Sequence, residues 1–243
     1  MAQDNRVALV TGGSGGIGGA ICRHLAADGA TVLVGYRSDE AGARQVAADC
    51  GGASEAIALD VADEEQIAAA VARAGEVGRL DTVVNAAGVA VDRLVLQLTA
   101  DEFDLAITAN LRGAVLLSKA ALRPMLRARH GRIVQVGSIV GLRGNAGQAA
   151  YAAAKAGLVG FSASLAREVA RKGITVNVVA PGFVETAMTD ALPDAARTAL
   201  EELAPIGRAV TVDEVAAAVT FLASAAASGI TGSVLPVDGG AVA

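Results

Sequence analysis

Short apolar runs rich in Val, Leu and Ile alternate along the chain with longer Ala-rich stretches whose apolar positions recur at helical spacing. The short runs predict seven strands, near Arg6–Thr11, Thr31–Tyr36, Glu55–Leu59, Leu80–Asn85, Gly131–Ser138, Ile174–Ala180 and Ser233–Val237. The longer stretches predict helices over Gly16–Asp28, Asp39–Asp49, Glu64–Glu76, Asp101–Arg127, Ala149–Lys172 and Val212–Ser224. Such alternation is the signature of an α/β fold, a doubly wound parallel sheet with helices on both faces. All 243 residues fit one such domain, because a sheet covered on both sides can outgrow the usual domain size before its core splits. Ligands of open sheets of this kind sit beyond the carboxyl ends of the strands, which draws attention to Thr11, Tyr36, Asp60, Asn85, Ser138 and Pro181.

Composition narrows the functions open to this fold. The chain has no Trp, two Tyr and four Phe, so small aliphatics must fill its core and let helices approach the sheet closely. A net charge of −5 argues against general nucleic-acid binding, which needs a basic face to displace counterions. Cys22 and Cys50 lie in different predicted helices and form no C-x-x-C pair, which predicts free thiols and no metal site and suits a reducing cytoplasm. His24 and His130 have no metal-ligand spacing and lie away from the strand ends, so they read as a helix-face and a loop histidine. The start, Met-Ala-Gln-Asp-Asn-Arg, runs straight into a strand with no basic and apolar leader. Val215–Val237 carries no charge, but Ser228-Gly229, Thr231-Gly232-Ser233 and Pro236 interrupt it, which predicts a buried helix, a turn and a last strand in place of a membrane span.

Candidate chemistry begins with Thr11-Gly12-Gly13-Ser14-Gly15-Gly16-Ile17-Gly18, between the first strand and the first helix. There a glycine loop can bring backbone N–H groups against a pyrophosphate: Gly12 permits the turn, Gly16 admits the phosphate and Gly18 allows close packing. At the end of the second strand, where an NAD enzyme usually carries a carboxylate for the ribose hydroxyls, this chain has Tyr36-Arg37-Ser38. Arg37 and Ser38 can donate to a 2′-phosphate, which favours NADPH. Further on, Tyr151-Ala152-Ala153-Ala154-Lys155 sets a phenol and an ammonium one helical turn apart. A nearby cation should lower the phenol pKa from its ordinary value of about 10 and ready Tyr151 for proton transfer to a carbonyl oxygen. Ser138, thirteen residues earlier, is placed to hydrogen-bond the same oxygen.

The T-G-x-x-x-G-x-G spacing, followed in order by Ser138 and Tyr151-x-x-x-Lys155, resembles the short-chain dehydrogenase/reductase family, with its Rossmann-type fold, over essentially the whole chain. The resemblance implies further roles. Asp60-Val61 would touch adenine, and Asn85-Ala86-Ala87-Gly88 would line the cofactor, although the family more often has Asn-Asn-Ala-Gly there. Asn110 would hold a water of a proton relay beneath Lys155, Lys155 would also bind the nicotinamide ribose, and Pro181-Gly182-Phe183-Val184-Glu185-Thr186 would carry the nicotinamide end, with Val184 and Thr186 at its carboxamide. NADP-specific relatives often place a second basic residue where this chain has Gly15, so discrimination against NADH is expected to be modest.

Within the family, the stretch from about Arg129 to Thr186 resembles the 3-oxoacyl-acyl-carrier-protein reductases, most specifically at Gly144–Tyr151 and Ile174–Val179. The branch resemblance implies reduction of a 3-oxoacyl thioester, a homotetramer, and an acidic acyl carrier protein docking beside the cleft on Arg129 and Lys172. Arg127, Arg132 and Arg171 would reinforce that patch, while the plainer reading is that helix C-termini favour cations. Residues 183–207 read as a lid over the acyl chain. Two other functions stay open on this sequence: a pathway-specific ketoreductase of polyketide, polyene, CoA-bound or free ketone substrates, and a non-catalytic nucleotide-sensing protein on the same fold.

Overall fold

The computed structural model describes residues 5–185 and 202–243. Strands β1 (Arg6–Thr11), β2 (Thr31–Tyr36), β3 (Glu55–Ala58), β4 (Arg79–Asn85), β5 (Gly131–Val136), β6 (Ile174–Pro181) and β7 (Val234–Val237) form one seven-stranded sheet. Its order is β3-β2-β1-β4-β5-β6-β7, and every pairing is parallel. Strand order therefore reverses between β1 and β4, and the two chain exits diverge there to opposite sides of the sheet. That divergence opens a crevice at the carboxyl ends. β1, β5 and β6 are almost wholly buried, as the uninterrupted apolar runs required.

Two apolar cores flank the sheet. On one face α1 (Gly16–Ala27), α2 (Glu40–Cys50) and α8 (Val212–Ala223) bury Ile21, Leu25, Val46, Val215 and Val219. On the other, α3 (Glu64–Val77), α5 (Gly113–Ala128) and α7 (Ala149–Val169) bury Ile67, Leu117, Met125 and Leu165. Helix starts follow local chemistry: Asp39 and Asp63 cap α2 and α3 with their carboxylates, and Thr211 with Glu214 forms a reciprocal capping box on α8.

Two expectations need correction. The helix expected over Asp101–Arg127 is α4 (Ala100–Ile107) and α5, joined without a break by one widened π turn, Thr108–Arg112. The continuous helical run Ala100–Ala128 is long and apolar enough to cross a membrane by length and composition, but its Leu117, Ala121 and Met125 belong to the second core. β5 ends at Val136, so Ser138 stands two residues past the strand, and a short helix α6 (Val140–Arg143) that periodicity could not reveal follows it. The uncharged Val215–Val237 stretch is, as expected, most of α8, a turn and β7.

Candidate active site

Two cavities lie side by side along the carboxyl edge of the sheet. One, about 660 Å³, is lined by Gly12, Ser14, Gly15, Gly16, Ile17 and Gly18, by Arg37 and Ser38, by Asp60 and Val61, and by Ala86, Ala87 and Gly88. The other, about 580 Å³, holds Ser138, Tyr151, Lys155 and Asn110 together with Pro181, Gly182 and Val184. Ile17, Ala86, Gly88 and Val89 line both, so the cavities are contiguous and a long ligand can run from the glycine loop to Tyr151.

The loop is shaped as a cradle. Gly12 has φ +64°, and a Cβ there would stand 3.0 Å from the Ala87 backbone. A Cβ on Gly18 would fall 2.1 Å from the Gly12 carbonyl oxygen, so the tight packing expected of Gly18 is against the loop itself. Unlike α2 and α3, α1 has no side-chain cap and no acidic residue in its first turn. Its leading N–H groups and the positive end of its dipole are left for an anion, which is what a pyrophosphate needs. Gly15, by contrast, has φ −80° and a single neighbour at 3.4 Å, so a side chain would fit there. Arg37 is exposed and has no ion pair among the described residues, while Asp39 beside it is engaged as the α2 cap. These residues fit a phosphorylated dinucleotide.

Asn85 does not face the cavities. Its side chain is buried and donates to Ser118 Oγ at 3.4 Å, and its Oδ1 has no partner. The role expected for its side chain at the cofactor is therefore not supported by this geometry, whereas Ala86–Gly88 stand where expected. Thr11, the first letter of the glycine motif, does what sequence reasoning missed: its Oγ1 accepts from Ala86 N at 3.1 Å and Ala87 N at 3.0 Å, tying the exit of β4 to that of β1.

At the other end, Ile139 N donates to Pro181 O at 3.0 Å, which carries the β5–β6 pairing past the strand and sets Ser138 beside the Pro181-Gly182 turn. Ser138 Oγ accepts from Val140 N at 3.1 Å, and Ser138 lines the same cavity as Tyr151. Lys155, only 5% exposed, donates to Val136 O at 2.8 Å, with Nζ 5.6 Å from the Tyr151 ring centre. A Cβ on Gly141 would stand 2.8 Å from Lys155 Cβ, so this glycine lets α6 close directly over the lysine. Burial lowers the Lys155 pKa to about 8.

The phenol departs from expectation. Burial pushes the Tyr151 pKa up, the Ser138 hydrogen bond pulls it down, and the Asp92 carboxylate pushes it up again. Desolvation is the largest of these influences, and it favours the neutral acid form of Tyr151.

Asn110 sits in the widened turn between α4 and α5, a distortion that recurs at functional sites. Its Nδ2 donates to Val89 O and Ala106 O, both at 2.9 Å, and its Oδ1 accepts from Val89 N at 3.3 Å. A Cβ on Gly88 would meet that Oδ1 at 2.5 Å and Lys155 Nζ at 3.6 Å, so Gly88, Asn110 and Lys155 converge. Both amide protons are used on the backbone, which makes Asn110 the pin between the end of β4 and the helix.

Thr186 and most of the expected lid lie outside the described residues; Phe183, Val184, Leu203 and Ala204 line the second cavity. Arg129 and Lys172 are neighbours, since a Cβ on Gly173 would touch the Arg129 carbonyl, but they precede β5 and β6. They stand at the amino edge of the sheet, opposite the cleft and not beside it, as sequence spacing alone could not tell. His130 also lies at that edge, bonded to Asp81 at 3.0 Å, and His24 on α1 meets Asp213 on α8 at 3.1 Å. Among the described residues no group of acidic, His and Cys side chains could hold a metal ion.

A parallel sheet with this order, an uncapped glycine cradle and a Ser–Tyr–Lys cluster at one cleft define the class: the chain belongs to the short-chain dehydrogenase/reductase family. A family profile described as enoyl-(acyl carrier protein) reductase matches residues 12–242. Among curated proteins, the chain is 48% identical over 241 residues to proteins of Salmonella typhimurium and Escherichia coli described as 3-oxoacyl-[acyl-carrier-protein] reductase FabG. A protein of Pseudomonas aeruginosa with the same description is 46% identical over 244 residues. Each comparison covers 99% of this chain and 98% of the relative.

Proposed function

We propose that this chain is an NADPH-dependent oxidoreductase that reduces the 3-oxo group of a 3-oxoacyl thioester on acyl carrier protein to the 3-hydroxyacyl thioester, in fatty-acid or related acyl-chain synthesis. The observation that carries this reading is the pair Ser138 and Tyr151, two hydroxyls lining one cavity together with the buried Lys155, whose Nζ stands 5.6 Å from the Tyr151 ring. Two hydroxyl donors beside each other suit a carbonyl oxygen that gains charge as hydride arrives at its carbon.

A bound reduced nicotinamide supplies the hydride to the carbonyl carbon. Gly12, Ser14, Gly15, Gly16, Ile17 and Gly18, which line one cavity, would hold its pyrophosphate, Arg37 and Ser38 its 2′-phosphate, and Asp60-Val61 its adenine. Ala86–Gly88, Pro181, Gly182 and Val184 would flank the nicotinamide end. Ser138 donates to the substrate oxygen, and Tyr151 gives it the phenolic proton, which completes the alcohol. The raised pKa suits this direction, because the acid form persists at neutral pH. Lys155 then stabilises the phenolate and returns a proton to it, and Asn110 positions Gly88 and Val89 around the lysine. Reduction should therefore fall as pH rises through about 8, where Lys155 loses its charge.

The relatives named as 3-oxoacyl-[acyl-carrier-protein] reductases support a carrier-borne substrate for this chain, and a cytoplasmic homotetramer is part of the same proposal. Docking of the carrier on Arg129 and Lys172 requires the cleft of another subunit to face that patch, since in one chain the two lie at opposite edges of the sheet.

The test is turnover of acetoacetyl and longer 3-oxoacyl thioesters with NADPH and NADH, beside the matching 2-enoyl thioesters. Turnover of the 3-oxo series, faster with NADPH and with that preference reduced in Arg37→Ser, is expected. Turnover of the enoyl series alone, or of neither, would overturn the proposal.

A further inference from the structure

Tyr151 sits in the first turn of α7, and that turn is held from outside its own helix. α7 opens at Gln148 with no side-chain cap and no acidic residue in its first turn, whereas α2, α3, α4 and α8 have both. Gln148 is committed sideways instead. Its Nε2 donates to Asp92 Oδ1 at 2.8 Å, and its Oε1 accepts from Asn145 Nδ2 at 3.0 Å. An anion tied to the residue that opens a helix suits the positive end of the helix dipole.

Asp92 is presented by residues 89–93, which leave β4 and are anchored at both ends. At one end Val89 exchanges hydrogen bonds with the Asn110 side chain, at 2.9 and 3.3 Å. At the other, Arg93 N donates to Gly147 O at 2.7 Å, Arg93 and Gln148 pair as a parallel bridge, and Arg93 Nε donates to Glu102 on α4 at 3.0 Å. Between them Val91 is buried in a small apolar cluster with Ala106 of α4 and Ala150 of α7. One strut therefore ties the widened turn of Asn110 to the turn that carries Tyr151. Val91, Arg93, Ala106 and Ala150 do not line the cavity of the proposed reaction, but Asp92, Gln148 and Tyr151 all do. The other charged side chains of that cavity are Arg143, Lys155 and Asp238; Lys155 is bonded to Val136 O, and Asp238 to the N–H groups of Gly240 and Val242. The Asp92 carboxylate acts on the phenol and favours its protonated form.

We infer that Asp92 is a positioning residue for proton delivery: through Gln148 it fixes the first turn of α7, and so the place of the Tyr151 phenol against the substrate oxygen. This deepens the proposed reaction and rests on it. Because the tie holds the proton donor and not the cofactor, its loss should appear in kcat and spare the KM for NADPH.

Asp92→Ala and Gln148→Ala cut the same tie from its two sides. Each should lower kcat for reduction of an acetoacetyl thioester at pH 7 about tenfold to a hundredfold, as a misplaced reacting group does, with the KM for NADPH unchanged and folding retained in thermal unfolding. The double variant should lose no more than either single one. Asp92→Asn keeps an acceptor for Gln148 and should recover most of the kcat lost in Asp92→Ala. A second readout needs no turnover. The chain has two tyrosines, Tyr36 and Tyr151, so carbon-13 at tyrosine Cζ gives two NMR signals, assigned with Tyr151→Phe. In Asp92→Asn the Tyr151 signal should titrate at lower pH than in the wild type, because a charge that favours the phenol is gone, and the Tyr36 signal should stay in place. Wild-type kcat in Asp92→Ala, additive losses in the double variant, or an unmoved Tyr151 titration in Asp92→Asn overturns the inference and leaves the proposed reaction standing. No turnover of any 3-oxoacyl thioester by the wild type sinks the reaction itself, and the inference with it.

Discussion

The two edges of the sheet bury charge in opposite ways. At the amino edge Asp81, 4% exposed, meets Arg79 and His130 at 3.0 Å each and accepts from Thr82 Oγ1 at 3.1 Å, while Arg132 donates to the carbonyls of Gly131 and Gly173. At the carboxyl edge Lys155 is buried as deeply, yet among the described residues it has no carboxylate, only the carbonyl of Val136 as a hydrogen-bond partner and the Tyr151 ring 5.6 Å away. Burying a charge is costly unless it is paired, and at the amino edge Asp81 obeys that rule through Arg79 and His130, while Arg132 relies on two backbone carbonyls and, among the described residues, leaves its Nε without a partner. The lysine breaks it, and its pKa falls to about 8 in consequence. Uncompensated buried charge at a cleft is the mark of a group kept for chemistry, and compensated charge that of a group kept for the fold.

Four substitutions sharpen or break this contrast. Tyr151→Phe removes the acid from the carboxyl edge and should lower kcat for 3-oxoacyl reduction about 10²- to 10⁴-fold with thermal unfolding unchanged. Near-normal turnover would mean that another group donates the proton. Asp81→Ala acts on the other edge. It strips the carboxylate from a buried cluster and should cost about 3–5 kcal/mol in urea unfolding, while activity per folded molecule stays the same.

Lys155→Met reverses that pattern. The lysine's pKa is lower in the folded chain than the ordinary 10.5, so the folded state pays for its proton fully below about pH 8 and not at all above about 10.5. At pH 7 the methionine variant should be inactive in reduction yet at least as stable as the wild type, by up to about 3 kcal/mol, less whatever the orphaned Val136 carbonyl takes back. The gap should close as pH approaches 10, and a variant that unfolds more easily at pH 7 would contradict the account.

The smallest effect belongs to His130. Burial lowers its pKa against the raising influence of Asp81, so the unfolded chain takes up more protons as pH falls below about 6.5, and stability should drop there. His130→Gln should flatten the dependence of the urea midpoint between pH 7 and 5. An unchanged slope would remove His130 from the amino-edge cluster.

Much of the carboxyl edge was legible in the chain, because turns and strand ends carry local signals. The glycine loop, Ser138 and Tyr151-x-x-x-Lys155 were each placed by spacing and by the strand they follow. What escaped depends on contacts distant in sequence. No pattern announces that Thr11 will hold Ala86 and Ala87, 75 and 76 residues away, or that Asn85 will turn to Ser118. The widened turn at Asn110 leaves the helical periodicity around it almost intact, so it reads as ordinary helix. Spacing brought the phenol and the ammonium together but could not supply their burial, and burial reversed the expected shift of Tyr151. Arg129 and Lys172 likewise had to be neighbours for the basic patch to exist, and they are, but only the direction of β5 and β6 reveals that they face away from the cleft.

The central claim is that the carboxyl edge delivers hydride to a ketone carbon and a proton from Tyr151 to its oxygen. Reduction of an acetoacetyl thioester with NADPH deuterated at the transferring position tests it most directly, with the product read by NMR. The account predicts a 3-hydroxybutyryl thioester carrying deuterium at C3, formed by the wild type and nearly absent with Tyr151→Phe. An unreacted 3-oxo thioester beside a crotonyl thioester reduced to butyryl, or deuterium transfer unaffected by Tyr151→Phe, would contradict it.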